Sequence, residues 1–305
     1  MNVPSNRERL TAAHRDTDHF YLLVDPLASG AGYSPISLPN ICDTLGDAAV
    51  TLIERADLAY APDHCPRLVT LALPGATPDS DLLDASLSYA ELEAGNDKRY
   101  VCGWLSSAAA PELLTLDIAQ RCVIDHGDET AFVPLFEPIR HELLAALAPD
   151  EAATWLGPVN RWLYPSADGE IRETTKRLGD EYPVSINSLT VQGDVPLVVR
   201  ILAGWRASLS LPLSYAPARG ASRKLPPGAA LSAWRELQDA RAWGLNTLEN
   251  QLVFALHRLN LHPRLDGYSI VREAIHHVVS TGTPLADQFD RFSDTTWAQI
   301  LSARR

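Results

Sequence analysis

The chain has 305 residues, with 26 Lys+Arg against 38 Asp+Glu for a net charge of −12, and is 46% hydrophobic and 21% charged. That balance excludes a disordered chain and opposes binding of nucleic acid or an anionic membrane across the whole surface, because either needs a broad positive field. The length predicts two domains or lobes. Only Lys98, Lys176 and Lys224 are lysines, which weakens any chemistry built on a lysine nucleophile.

Residues 1–19 are polar and of mixed charge, and read as a solvated N-terminal segment without signal-peptide character. From Phe20 the pattern alternates. Phe20 to Val24 is a compact apolar run stopped by Asp25-Pro26 and predicts a buried strand. Ile41 to Ala59 predicts a helix on the spacing of Leu45, Leu52, Ile53 and Ala56. A strand follows over Arg67 to Leu73. Asp79 or Ser80 caps a helix that runs through Leu82, Leu83, Leu87 and Leu92 and ends at Gly95-Asn96. Tyr100 to Leu105 is a third strand, and Pro111 opens a helix through Leu114, Ile118 and Cys122. Thr130 to Phe136 predicts a fourth strand. Glu137-Pro138 starts a helix that Pro149-Asp150 restarts and Gly157-Pro158 ends, and Val159 to Tyr164 makes the last strand. This rhythm predicts an α/β lobe over 20–175, alternating strands and helices with a parallel or mixed sheet.

The remainder, 176–305, predicts a mainly helical C-terminal lobe. Tyr182 to Leu202 reads as one or two strands, with an apolar run from Val195, and 211–228 as a loop rich in Pro, Gly, Ser and basic residues. Leu245, Leu248, Leu252, Ala255 and Leu259 form an amphipathic stripe, for which Asn246 is the expected cap. Ile270, Val271, Ala274, Ile275, Val278 and Val279 form a second stripe, ended by Gly282 and Pro284. A short terminal helix carries Trp297, Ile300 and Leu301. No apolar run approaches the roughly 20 residues that a spanning helix needs. The scattered Cys42, Cys65, Cys102 and Cys122 suit the reduced thiols of a cytosolic protein.

Chemistry-bearing patterns are sparse. Phosphate loops of the Gly-x-Gly-x-x-Gly or Gly-Lys-Ser/Thr kind are absent, as is a Gly-x-Ser-x-Gly elbow. Asp125-His126-Gly127-Asp128-Glu129 packs carboxylates and an imidazole into one turn, where they cannot all converge on a metal, so a solvated connection is the favoured reading. The run His14 to His19 reads the same way. No metal or cofactor is expected. An enzyme built from strand-end residues Ser106, Asp125, His126 and Glu137, in the manner of an α/β hydrolase, is the alternative reading. Surface recognition has more behind it. Trp155, Trp162 and Tyr164 surround Gly157-Pro158, while Trp234 and Trp243 flank the start of the helical region, and large aromatics serve as interface anchors as well as core. Glu137 is positioned to cap its helix, and Arg140 projects from the first turn as an ion-pair or partner contact.

Several segments, in order, resemble the type VI secretion adaptor proteins, also called effector chaperones. They are Tyr21-Leu22-Leu23-Val24-Asp25-Pro26; Ala61-Pro62 with Pro66-Arg67-Leu68-Val69; Trp104-Leu105-Ser106-Ser107; Phe132 to Arg140; and Leu156-Gly157-Pro158-Val159-Asn160-Arg161-Trp162. The resemblance covers residues 20–170. Glu137 stands where the family has Asp, Arg140 lies one place later than the family's Arg, and Pro134 stands where an Arg is common. The resemblance implies a non-enzymatic carrier in the bacterial cytoplasm that binds a toxic effector and loads it onto the VgrG spike protein, with or without a second accessory protein. On this reading the α/β lobe recognises the spike and the C-terminal lobe grips the effector. Glu137, Arg140, Trp155, Trp162, Tyr164, Trp234 and Trp243 are its candidate partner-binding residues.

Overall fold

A computed structural model describes residues 5–28, 31–126, 129–177, 184–211 and 224–302. The chain divides into two compact units, Met1–Gln192 and Gly193–Arg305.

The first unit opens with helix α1 (Asn6–Ala13), closed at its start by a reciprocal capping box between Ser5 and Glu8. Leu10 and Ala13 are wholly buried, so this stretch is folded structure where the sequence suggested a solvated segment. Then follow β1 (His19–Val24), α2 (Leu38–Leu45), β2 (Val50–Leu52), β3 (Arg67–Ala72), α3 (Ser80–Leu92), β4 (Val101–Ser107) and α4 (Pro111–Arg121). A hairpin of β5 (Val123–His126) and β6 (Glu129–Phe132) comes next, then α5 (Pro138–Leu147), α6 (Pro149–Trp155), β7 (Val159–Pro165) and β8 (Ile171–Thr175).

Six strands form one sheet in the order β2-β3-β1-β4-β7-β8, and every neighbouring pair is antiparallel. This corrects the expectation of a parallel or mixed sheet. The helical crossover from β3 through α3 to β4 does join two strands of the same direction, but β1 lies between them and opposes both. Strand–helix–strand rhythm does not decide which strand is inserted between two others or the direction in which it runs.

Each face of the sheet carries its own core. Phe20, Leu22 and Val24 pack with α1, α2 and α3 on one side, while Tyr21 and Leu23 pack with α4, α5 and α6 on the other. Burial on both faces explains why β1 is a continuous apolar run. In β4 the alternation is broken: Val101 and Trp104 face the first core, Cys102 and Leu105 the second. A bulge accounts for it. Leu23 pairs with Gly103 but Val24 with Val101, so one extra residue switches the parity, and Gly103 takes φ 152°.

Other expectations shift locally. The helix read over Ile41 to Ala59 stops at Gly46, which adopts φ 85°, and Val50–Leu52 pairs with β3 as an edge strand. The strand read over Thr130 to Phe136 is shorter and belongs to the separate β5–β6 hairpin. β8, which the sequence reading lacked, extends the sheet by a hairpin beyond Asp168-Gly169.

In place of the strands expected between Tyr182 and Leu202 stands helix α7 (Ile186–Ser210), with Pro196 inside it. The second unit continues with α8 (Ala229–Ala242), α9 (Leu248–Asn260), α10 (Ser269–Thr281), α11 (Leu285–Phe289) and α12 (Asp294–Ser302). Its core joins Phe254, Val271, Ile275, Val278, Phe289 and Trp297. Of the predicted stripes, Leu245, Ala255, Val271, Ala274, Ile275 and Val278 are buried, Leu248, Leu252 and Leu259 are half-buried, and Ile270 and Val279 are exposed. Thr247, one residue later than expected, caps α9 by accepting the Asn250 N–H. Of the loop read over 211–228, residues 212–223 lie outside the described residues.

Candidate functional site

The motif residues at the carboxyl end of β1 converge on a chain of charges. Asp25 follows the strand, donates its N–H to the Tyr100 carbonyl at 2.8 Å and accepts the Leu27 N–H on Oδ1 at 3.0 Å, an Asx turn around Pro26. Lys98 Nζ lies 3.1 Å from Asp25 Oδ2 and 2.8 Å from Glu137 Oε1. Glu137 Oε2 accepts from Arg140 Nε at 2.8 Å. Arg140 Nη1 donates to the Gln192 carbonyl at 2.8 Å, and Gln192 Nε2 donates back to the Arg140 carbonyl at 3.2 Å. Two acids and two bases are thus matched. The Asp25 side chain is wholly buried while Lys98 is 34% exposed, so the chain of charges meets solvent at its lysine. Burial raises the Asp25 pKa, against the pull of Lys98. For Lys98 burial acts downward, but Glu137 and Asp25 prevail and its pKa is raised. Glu137 occupies the cap position of α5 without a side-chain bond to the helix amides; Lys98 and Arg140 take its oxygens instead, which corrects its expected capping role.

Arg140 owes one partner to the sequence of α7. Pro196 has no N–H for the carbonyl four residues back, and that carbonyl belongs to Gln192. The guanidinium of Arg140 supplies the missing donor.

Trp155, Trp162 and Tyr164 are only 4%, 1% and 4% exposed. They surround His141, whose ring lies parallel to Trp162 at 5.2 Å and edge-on to Tyr164 at 4.8 Å. His141 Nε2 is 2.9 Å from Thr174 Oγ1, and burial pushes its pKa down to about 3, so the ring is neutral. These three aromatics are therefore core, and the expectation of partner anchors is corrected for them: buried rings offer no surface in the folded unit.

In the second unit Trp234 and Trp243 are half-buried. Trp234 Nε1 donates to Asp194 Oδ2 at 3.1 Å, beside Gln238 Nε2 at 2.8 Å, and Arg241 Nη1 donates to Oδ1 at 2.7 Å. The spacing 234, 238, 241 puts all three donors on one face of α8. Trp243 stands edge-on to His276 and lines a hollow of about 350 Å³ with Asp239, Arg258, Arg264 and Asp266.

Of the residues of the alternative enzyme reading, Ser106 and Glu137 stand apart. Ser106 pairs with Phe20 near the start of β1, is wholly buried and donates its hydroxyl to Asp18 Oδ2 at 2.7 Å. Asp18 also accepts from Asn160 at 2.8 Å. Burial acts upward on its pKa, but these bonds outweigh it and the pKa is lowered. Glu137 lies beyond the opposite end of β1. Gly127 and Asp128 of the acidic turn lie outside the described residues. Among the described residues no group of three His, Cys, Asp or Glu side chains is placed to hold a metal ion, and no helix is long and apolar enough to cross a membrane.

The sequence singled out Glu137 and Arg140 but not Lys98, which joins Asp25 to Glu137. The rarity of lysine was the one signal available. Comparison of the chain with family models, curated proteins and solved structures gives no match.

Proposed function

We propose that the protein is a non-enzymatic adaptor that holds a type VI secretion effector in the bacterial cytoplasm and delivers it to the VgrG spike. The observation that carries this reading is the convergence of separate motif segments of the family resemblance on one charge chain. Asp25 closes the first segment, Glu137 and Arg140 close the Phe132 to Arg140 segment, and Lys98 ties them together. Matched, largely buried charges suit the fixing of a recognition surface. In this reading the first unit serves the spike and the second the effector, where Trp234 and Trp243 are the half-buried aromatics.

Affinity purification of the tagged full-length chain from its own host, followed by mass spectrometry, is expected to return a spike protein and a toxin. Recovery of neither overturns the adaptor reading. Removal of residues 229–305 is expected to abolish recovery of the toxin while the remainder keeps its circular dichroism; a toxin retained by the truncated chain overturns the division of roles.

A further inference from the structure

The first unit carries an open groove of about 720 Å³ beside the edge strand β2. One wall is the segment that follows β2, with Ala56, Leu58, Ala59 and Pro62. The other is the outer face of α4, and Val123 and Phe132 of the hairpin complete it. Of the lining, Leu116 and Val123 are 55% and 48% exposed. On α4 the lining residues Glu112, Thr115, Leu116, Ala119 and Gln120 recur three and four apart, one face of the helix, and Leu116 leaves that face open. Exposed apolar surface of this extent marks interaction sites.

The rim is acidic. The exposed side chains of Glu54 and Glu112 stand on it. Arg55, the one cation among the described lining residues, is already held by Asp57 at 2.7 Å, with its guanidinium 4.5 Å from the centroid of the Phe132 ring. The lining of α4 from Glu112 to Gln120 spans about 12 Å at helical rise, a little over two turns.

We infer that this groove receives an amphipathic helix of a partner protein, its apolar face laid on Leu116, Val123 and Phe132 and its flanking Lys or Arg residues met by Glu54 and Glu112. The inference deepens the adaptor reading and rests on it. Helix-in-groove binding uses anchors at i, i+3, i+4 and i+7, a spacing that can run alongside the groove face of α4, where the small Ala119 admits close approach. A strand added to β2 is disfavoured, because three residues provide few main-chain bonds. A second copy docked by the same face is disfavoured too, since it brings two acidic rims together.

The test places a photo-reactive benzoylphenylalanine at position 116 of the full-length chain in its host, with position 92, 79% exposed on α3, as control. Adducts are mapped by mass spectrometry. The expected adduct at position 116 lies in a partner segment with apolar residues at i, i+3, i+4 and i+7 between basic residues. A synthetic peptide of that segment is expected to bind the full-length protein, and Leu116→Glu is expected to weaken it about tenfold or more. Glu112→Lys is expected to weaken it and to lessen its dependence on salt. Circular dichroism of each variant checks folding, which a half-exposed position tolerates. Adducts no more abundant than at position 92, adducts to a second copy or to an extended segment, or unchanged peptide affinity in Leu116→Glu overturn the inference. If Leu116→Glu recovers spike and toxin as the unaltered chain does, the groove assignment falls and the adaptor reading stands; if the unaltered chain recovers neither, the adaptor reading itself falls.

Discussion

Lys98 decides the state of its neighbours. Its ammonium is the cation within 3.1 Å of a carboxylate whose side chain has no exposure, so Lys98→Met strands Asp25 in the interior. Removing one partner of a buried pair costs about 3–5 kcal/mol, and urea denaturation at pH 7.5 is expected to show a loss of that order. Asp25→Asn in the same chain is expected to recover much of it. Because the stranded carboxyl can refold as the neutral acid, the deficit of Lys98→Met is expected to narrow as the pH falls. Asp25 and Glu137 were legible as motif residues, since each precedes a proline that marks an element boundary, and Arg140 lies in the helical turn that Pro138 opens. Lys98 was not, because its contact to Glu137 spans 39 residues of sequence and no local pattern records such a distance.

Two other buried carboxyls make the molecule sensitive to pH. Burial raises Glu93 and Glu142 to about 7, although Glu93 accepts the Tyr100 and Val101 amides and Glu142 the Ala167 amide. Their folded pKa values lie above the 4.5 of an ordinary glutamate, so the native state holds more protons than the unfolded chain between about 4.5 and 7. Stability from these groups is therefore complete at the acid end and is lost as the pH rises through that window. Glu142→Gln keeps an acceptor for Ala167 and removes the titration. The variant is expected to lose less stability than the unaltered chain between pH 5 and pH 8, by roughly 2–3 kcal/mol, as read from the denaturation midpoints. An equal loss in both chains would place the Glu142 carboxyl in its ordinary range.

Among the elements, β4 depends most on one residue. A Cβ at Gly103 would overlap the Leu163 carbonyl oxygen and the Trp162 indole nitrogen, in a backbone region that L side chains rarely adopt. Gly103→Ala is expected to cost about 3 kcal/mol or more, measured by thermal and urea unfolding. The bulge also shows why a strand can be found in sequence while its facing is misread: an unbroken alternation over Val101 to Leu105 would send Trp104 to the wrong core. The reading of Val195 to Leu202 failed for a related reason. A short, fully apolar β-branched run has no periodicity to separate strand from helix, and Pro196 inside the run argued against the helix that forms. Arg140 is part of the answer, as donor to the carbonyl that Pro196 leaves open. Arg140→Ala is expected to destabilise by about 1–3 kcal/mol. In a Pro196→Ala background, where the helix provides its own N–H, the cost is expected to fall by about 1 kcal/mol in a double-mutant cycle. Additive effects would separate the arginine from the proline.

At the scale of the whole molecule, the mainly helical character of the C-terminal region was readable, because amphipathic stripes over Leu245 to Leu259 and Ile270 to Val279 carry a period of their own. The direction of the strands in the first unit was not. Sequence order lists β1, β2, β3 and β4, whereas the sheet places β1 between β3 and β4 and sends β2 to the edge. Only contacts between residues far apart in the chain decide that arrangement. The candidate site divides in the same way. Glu137 and Arg140 had a local signature at the start of their helix; the aromatic residues were visible as large apolar groups, but whether a ring faces core or solvent is set by what packs on it.

The central place of β1 has a consequence for how this unit comes apart. It is hydrogen-bonded along both edges and covered on both faces, so no fraying end, hairpin or peripheral helix exposes it by leaving alone. Solvent reaches its amides only when the entire unit opens. Hydrogen exchange at Phe20 to Val24 is thus expected to be among the slowest in this unit, and the Asp25 carboxylate is anchored at the end of that strand.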